Sequence, residues 1–280
     1  MSGAGSSSSR RSGVGVRRLR VLVSGFVLPC VLACGGGDRP ASPSLLVAAR
    51  DSVSREAAGL ADDVRAVAWL DSLIREAGGD RNAGAELALL RLRAIERVLE
   101  QPTVRNYNPY SNDVSHVQPP AEVKTFVDAH GKEIVYSEPA GEWLVPSAVY
   151  WSLHDRYRQT RFTDELAWAA ASAGTPGECE GLASCYLDVM LETYARYIDE
   201  HADGAYVAEA AQHIMPVLSD TWGADPGRPL CGDEQTSSGV RPQQLERMRV
   251  ILSKAANRLP ASDSTLRVLQ RLEARCSSRS

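Results

Sequence analysis

The feature that most constrains the fold is a pair of apolar stripes with helical spacing on either side of a short turn. Leu187, Met190, Leu191, Tyr194 and Ile198 fall at offsets 0, 3, 4, 7 and 11. Val207, Ala210, Ala211, Ile214 and Leu218 repeat those offsets after His201-Ala202-Asp203-Gly204. A half-buried strand would alternate every second residue, so both runs predict amphipathic helices with one buried face. The turn is short enough that the two must be neighbours, an αα-hairpin.

The same spacing recurs along much of the chain. A helix is expected from about Pro43 to Ala77, with Leu60, Val64, Val67, Asp71 and Ile74 on one stripe and Gly78-Gly79 as its stop. A second, from about Arg81 to Glu100, carries Leu87, Leu90, Ala94 and Val98 and ends before Pro102. The short link makes these two an antiparallel hairpin. Ser147 suits the cap of a helix with the stripe Val149, Leu153 and Tyr157. Thr163 suits the cap of the next, with Asp164 and Glu165 in the first turn, where the helix dipole favours acids. Trp168 and the alanines after it lead to a stop at Gly174-Thr175-Pro176-Gly177. Leu245, Met248, Leu252, Ala255 and Leu259 align from Pro242 onward, and Ser262 suits the cap of a last helix over Leu266 to Cys276.

Composition agrees: alanine, leucine and arginine are abundant and phenylalanine occurs 3 times, a balance that favours helix over strand. The expected class is all-α, built of antiparallel helical hairpins. The exception is an irregular or β-hairpin insertion around residues 104–145. There the periodicity fails, Tyr107-Asn108-Pro109-Tyr110-Ser111-Asn112-Asp113 is turn chemistry, and Val123 to Asp128 with Glu133 to Tyr136 flank His130-Gly131 like two short strands.

The first residues speak to location. Arg10, Arg11, Arg17, Arg18 and Arg20 precede the apolar run 21–33, which falls short of the roughly 17 residues a membrane-spanning helix needs. Val31-Leu32-Ala33-Cys34, followed by Gly35-Gly36-Gly37, resembles a lipobox. That resemblance implies a cleaved signal peptide over residues 1–33, acylation at Cys34 and a flexible tether over residues 34–44 ahead of a helical domain over 45–280. Ser9-Arg10-Arg11 could be read as a twin-arginine signal, but the apolar run starts too far downstream. Gly35 is not the aspartate that retains lipoproteins in the inner membrane of some bacteria, so the expectation is a periplasm-facing protein of the outer membrane.

Residues 1–33 carry five of the 31 basic residues and none of the 35 acids, which leaves 26 basic and 35 acidic residues in 34–280, a formal charge of −9. Nucleic acid and anionic headgroups are poor partners for such a chain. With Cys30 removed and Cys34 acylated, Cys179, Cys185, Cys231 and Cys276 remain, an even number in an oxidising compartment. Of three connectivities, Cys179–Cys185 with Cys231–Cys276 is favoured because each pair brackets one local segment. A four-thiolate metal site needs closely spaced pairs that are absent.

Residues Tyr194 to Ala210, YARYIDEHADGAYVAEA, resemble the tetratricopeptide-like repeats of periplasmic proteins such as the outer-membrane assembly lipoprotein D and the Tol-Pal coordinator. Ala202 stands where proline is usual, and the likeness covers about Ser184 to Leu218, with a looser match over Ser147 to Ala173. It implies a helical-repeat scaffold that binds envelope proteins or peptides and implies nothing about catalysis; no cofactor is expected. Tyr197 and Tyr206 are the side chains expected to face a partner, because tyrosine offers large contact area at small entropic cost.

No segment reads GxSxG, HExxH, GxxxxGKS/T or GxGxxG. His116, His130, His154, His201 and His213 are scattered, and the neighbours His154 and Asp155 point about 100° apart on a helix, so together they do not clamp one ion. No catalytic and no metal-binding residues are expected. The rival class is an envelope enzyme or accessory acting on peptidoglycan or polysaccharide. A cavity joining residues 104–145 to carboxylates of the helical part favours it; a groove along the helices favours the scaffold.

Overall fold

A computed structural model describes residues 43–54, 59–110, 119–219, 231, 239–259 and 265–277. The signal segment, Cys34, most of the tether, His116 and the expected cap Ser262 lie outside these residues.

The described residues form twelve α-helices and one two-stranded antiparallel sheet. The expected first helix is two, α1 (Pro43–Ser54) and α2 (Leu60–Ala77), with Gly59 between them in a non-helical conformation. The face α2 buries is Asp63, Val67, Leu70, Leu73 and Ala77, one position round from the expected stripe, and Asp71 instead pairs with Arg91 at 2.5 Å. α3 (Arg81–Glu100) has the expected bounds and buries Leu87, Leu90, Ala94 and Val98. Asp80 caps it by accepting from the Ala83 N–H at 3.0 Å. α2 packs along α3, and α1 lies against both. Asp63, 1 % exposed, holds the three together. It accepts from Arg97 at 2.6 Å and Gln101 at 2.8 Å, while the Arg97 guanidinium also donates to the Ser52 and Val53 carbonyls at the end of α1.

Pro102 opens the single turn α4 (Pro102–Arg105). The insertion corrects the sequence reading. Residues expected as its first strand are a helix, α5 (Ala121–His130), because Val123, Phe126 and Val127 share one buried face and Lys124 pairs with Asp128 at 3.0 Å one turn on. The β-hairpin comes later, β1 (Val135–Ser137) against β2 (Glu142–Leu144), with Tyr136 opposite Trp143. Gly141, at φ 67°, supplies the left-handed position of its turn.

α6 (Ser147–Arg156) buries Ser147, Tyr150, Trp151 and His154. Val149, Leu153 and Tyr157, the expected core stripe, lie half-buried. Ser147 is the first helical residue and not a cap; its hydroxyl donates to the Ala170 carbonyl of α7 (Thr163–Ser172) at 2.6 Å. Thr163 likewise sits inside α7, and its hydroxyl gathers the carbonyls of Tyr157, Arg158 and Thr160 within 3.1 Å, which closes the α6–α7 turn.

The hairpin expected over Leu187 to Leu218 is present with one change. Its first arm is broken at the buried Thr193 into α8 (Ala183–Glu192) and α9 (Tyr194–Glu200). The Thr193 hydroxyl donates back to the Val189 carbonyl at 2.6 Å, which terminates α8. The second arm, α10 (Val207–Leu218), buries all five expected residues. α11 (Pro242–Lys254) is followed by turns through Leu259, and α12 spans Thr265–Ser277. The buried Gln244 ties α11 to α8 by donating to the Ser184 carbonyl at 2.9 Å and to Asp188 at 2.6 Å. Both disulfides are present, Cys179–Cys185 and Cys231–Cys276, and the second fixes α12 to the strand-like bridge at Cys231 and Val240. No helix among the described residues is long and apolar enough to cross a membrane.

Candidate functional sites

The tyrosines expected to meet a partner have different fates. Tyr197 is 0 % exposed. Its hydroxyl donates to Asp164 of α7 at 2.7 Å and accepts from the Tyr206 N–H at 3.1 Å. Burial and the Asp164 carboxylate push its phenol above the ordinary tyrosine range. It is therefore a packing residue that locks α7, α9 and the start of α10 together, which corrects the partner-facing role. Tyr206 is half-buried and stacks on Trp168, with centroids 4.9 Å apart and planes 7° apart. Tyr194 stacks on the exposed His213 at 4.5 Å, and Trp168 reaches Tyr194 at 5.9 Å. The result is a layered aromatic surface with Trp168, Tyr194, Tyr206 and His213 as its accessible part.

Beside it lies a histidine pair that sequence distance conceals. His154 (1 % exposed) and His201 face each other across α6 and the end of α9, with their Nε2 atoms 3.0 Å apart. One proton suffices for that contact. His154 Nδ1 lies 3.2 Å from Asp155, so assigning it the N–H leaves His154 Nε2 to accept from the His201 Nε2–H. Burial, then the neighbouring His154, hold His201 below the ordinary histidine range. His154, Asp155 and Glu200 come within metal-ligand reach of one another, but the carboxylates already have cations. Arg158 donates to Asp155 at 2.9 Å and to Glu200 at 3.2 Å, and Arg196 donates to Glu200 at 2.8 Å while its guanidinium lies 3.9 Å over the Trp151 ring. The grouping is an ion-pair network on its own terms.

Two other concave features among the described residues lie away from these clusters, and sequence reasoning located neither. The first is a groove of about 660 Å³ bounded by α2, α3 and α6. Ile74, Ala88, Leu92, Val149, Leu153 and Tyr157 give it an apolar floor, so the stripe expected in the core is a groove wall. Asp71, Arg91 and Glu133 form a closed ion network on the rim, Arg91 to Glu133 at 2.6 Å. A hydrogen bond from His130, then the Arg91 pair, depress the Glu133 carboxyl to about 2. Lys132 and Arg156, both exposed, also line this groove.

The second is a cavity of about 580 Å³ where β2 faces the end of α3. Glu96, Leu99 and Glu100 line it from the helix, Arg105 from α4, Glu142, Trp143, Leu144 and Val145 from the hairpin, and Gly174 from the loop after α7. Trp143 is held in its wall: its Nε1–H donates to the Tyr107 carbonyl at 2.8 Å, Tyr107 stacks on it at 6.0 Å, and Tyr136 meets its edge at 5.4 Å. The half-buried Glu96 carboxyl is raised above the ordinary range by burial, against an opposing hydrogen bond from the buried Tyr150 hydroxyl. Glu96 and Glu100 stand one helical turn apart, a like-charge spacing that costs a few tenths of a kcal/mol in isolation; that pair is the signal in the sequence that could have pointed here.

Comparison with protein-family models, with curated proteins and with solved structures returned no match.

Proposed function

We propose that this protein is a lipid-anchored scaffold of the bacterial envelope, tethered through Cys34, facing the periplasm from the outer membrane, and holding a partner protein or peptide in the groove between α2, α3 and α6. The groove is the observation that carries the reading. Its apolar floor takes the side chains of a peptide, and Lys132 and Arg156 at its edge suit an acidic residue beside them. The two disulfides belong with an exported protein. The repeat architecture is part of the proposal: α6 with α7, α8–α9 with α10 and α11 with α12 form three successive hairpins of a tetratricopeptide-like superhelix. Packing of α9 on α11 and of α10 on α12 supports this, since like helices stack in such arrays. The protein has no catalytic role in this reading.

The test of location is Cys34→Ser. The wild-type chain incorporates labelled fatty acid and fractionates with the outer membrane; the variant loses both. A wild-type chain that takes up no acyl group overturns the anchored reading. The cavity between α3 and β2 favours a second reading, an accessory acting on envelope glycan, because it joins residues 104–145 to carboxylates of the helical part.

A further inference from the structure

The cavity at the end of α3 has a mixed chemistry that the packing of the helices does not require. One wall is an indole fixed by a hydrogen bond and two aromatic neighbours, so it presents its surface without losing rotamer freedom on binding. The remaining walls mix apolar Leu99, Leu144 and Val145 with three carboxylates and one guanidinium. A pyranose ring is complementary to such a set: its C–H face lies on an aromatic ring, and its hydroxyls donate to carboxylates and accept from arginine. Three carboxylates against one guanidinium disfavour an anionic glycan or a nucleotide.

We infer that the cavity binds an uncharged oligosaccharide, with Trp143 as the stacking wall and Glu96, Glu100, Glu142 and Arg105 as the groups that hold its hydroxyls. The assignment rests on the glycan reading of the second cavity and adds to it the residues and the charge class of the ligand. Glu96 has a distinct part. Its half-buried carboxyl accepts from the Tyr150 hydroxyl, which fixes it in the wall with a definite orientation toward the cavity's contents.

The experiment titrates the full-length lipidated protein, in a detergent without a sugar headgroup, with chitotetraose and with cellotetraose, read by calorimetry and tryptophan fluorescence. In parallel the protein is co-sedimented with insoluble cell-wall material. The expected result is a dissociation constant between about 10 μM and 1 mM for at least one tetrasaccharide, weakened about tenfold or more by Trp143→Ala and by Glu142→Ala. Glu142 is exposed, so its alanine variant should keep the wild-type melting temperature and serve where the tryptophan variant fails to fold. Binding that both variants leave unchanged overturns the cavity assignment. So does co-sedimentation with cell wall without binding of either tetrasaccharide, in which case the glycan reading itself survives. Neither tetrasaccharide binding nor co-sedimentation overturns both.

Discussion

The Tyr197 hydroxyl, on a fully buried ring, donates to the partly exposed Asp164 carboxylate at 2.7 Å and so joins α9 to α7. The same carboxylate accepts from the Ala205 N–H at 3.1 Å, so one acid organises the turn into α10. Tyr197→Phe removes the donor to Asp164 and the acceptor of the Tyr206 N–H together. The expected loss of stability is about 1–3 kcal/mol, measured by urea unfolding, with partner capture by the folded fraction unchanged. A wild-type stability for Tyr197→Phe would remove this contact from the account of the hairpin.

Gly204 sits against that pair. A Cβ at this position would overlap the Tyr197 hydroxyl and the Asp164 carboxylate and lie 2.9 Å from the His201 carbonyl. Gly204→Ala must therefore displace a hydrogen-bonded network, at a cost of about 1–3 kcal/mol. Thermal melts of Gly204→Ala and of the double variant with Tyr197→Phe check this; the two losses should combine less than additively.

His201 gives stability a defined pH dependence. Its folded pKa is lowered, chiefly by burial, so between that value and about 6.5 the unfolded chain binds more protons than the native one. Stability contributed by this group is complete above about pH 6.5 and declines as pH falls through the folded value. The groups facing it are His154, Asp164, Glu200 and Arg158. Denaturant midpoints at about pH 7.5 and about pH 5 should differ more for wild type than for His201→Gln.

Glu133 acts in a lower window. With its carboxyl depressed from 4.5 to about 2, its contribution is present above about pH 4.5 and is lost as pH falls through about 2. The side chain is 31 % exposed, and solvent screening reduces the effect to about 1–2 kcal/mol. Glu133→Gln should flatten the acid limb of the stability profile between those values.

The Cys231–Cys276 bridge closes a sequence separation of 45 residues, which a chain-entropy model values at about 4 kcal/mol. Replacing both cysteines by serine should lower stability by about 2–5 kcal/mol and expose α12 to hydrogen exchange before the rest of the fold.

Local features of this fold were legible in the sequence, and relations between segments were not. α3 and α10 follow from their stripes, and both disulfides from each pair bracketing a local segment. A stripe extended unbroken through Thr193 misplaces Tyr197. The break there resets the helical phase, so α9 buries Ala195, Tyr197 and Ile198 while Tyr194 turns out toward His213. The sequence of α5 is ambiguous because Val123, Phe126 and Val127 satisfy β-propensity as well as a helical spacing. The His154–His201 contact joins residues 47 apart and has no local pattern to read; the cavity at Glu96 draws on α3, α4, β2 and the loop after α7, and the Glu96 and Glu100 spacing is its one local trace.

The most direct test of the scaffold is a photo-reactive amino acid placed at Val149 on the groove wall of the lipidated protein in living cells, with the same substitution at the exposed Val250 of α11 as control. The expected result is a defined envelope protein captured at Val149 and not at Val250, lost when Lys132 and Arg156 are both replaced by glutamate. Capture of the same proteins at both positions, or of none at Val149, would contradict a partner-holding groove.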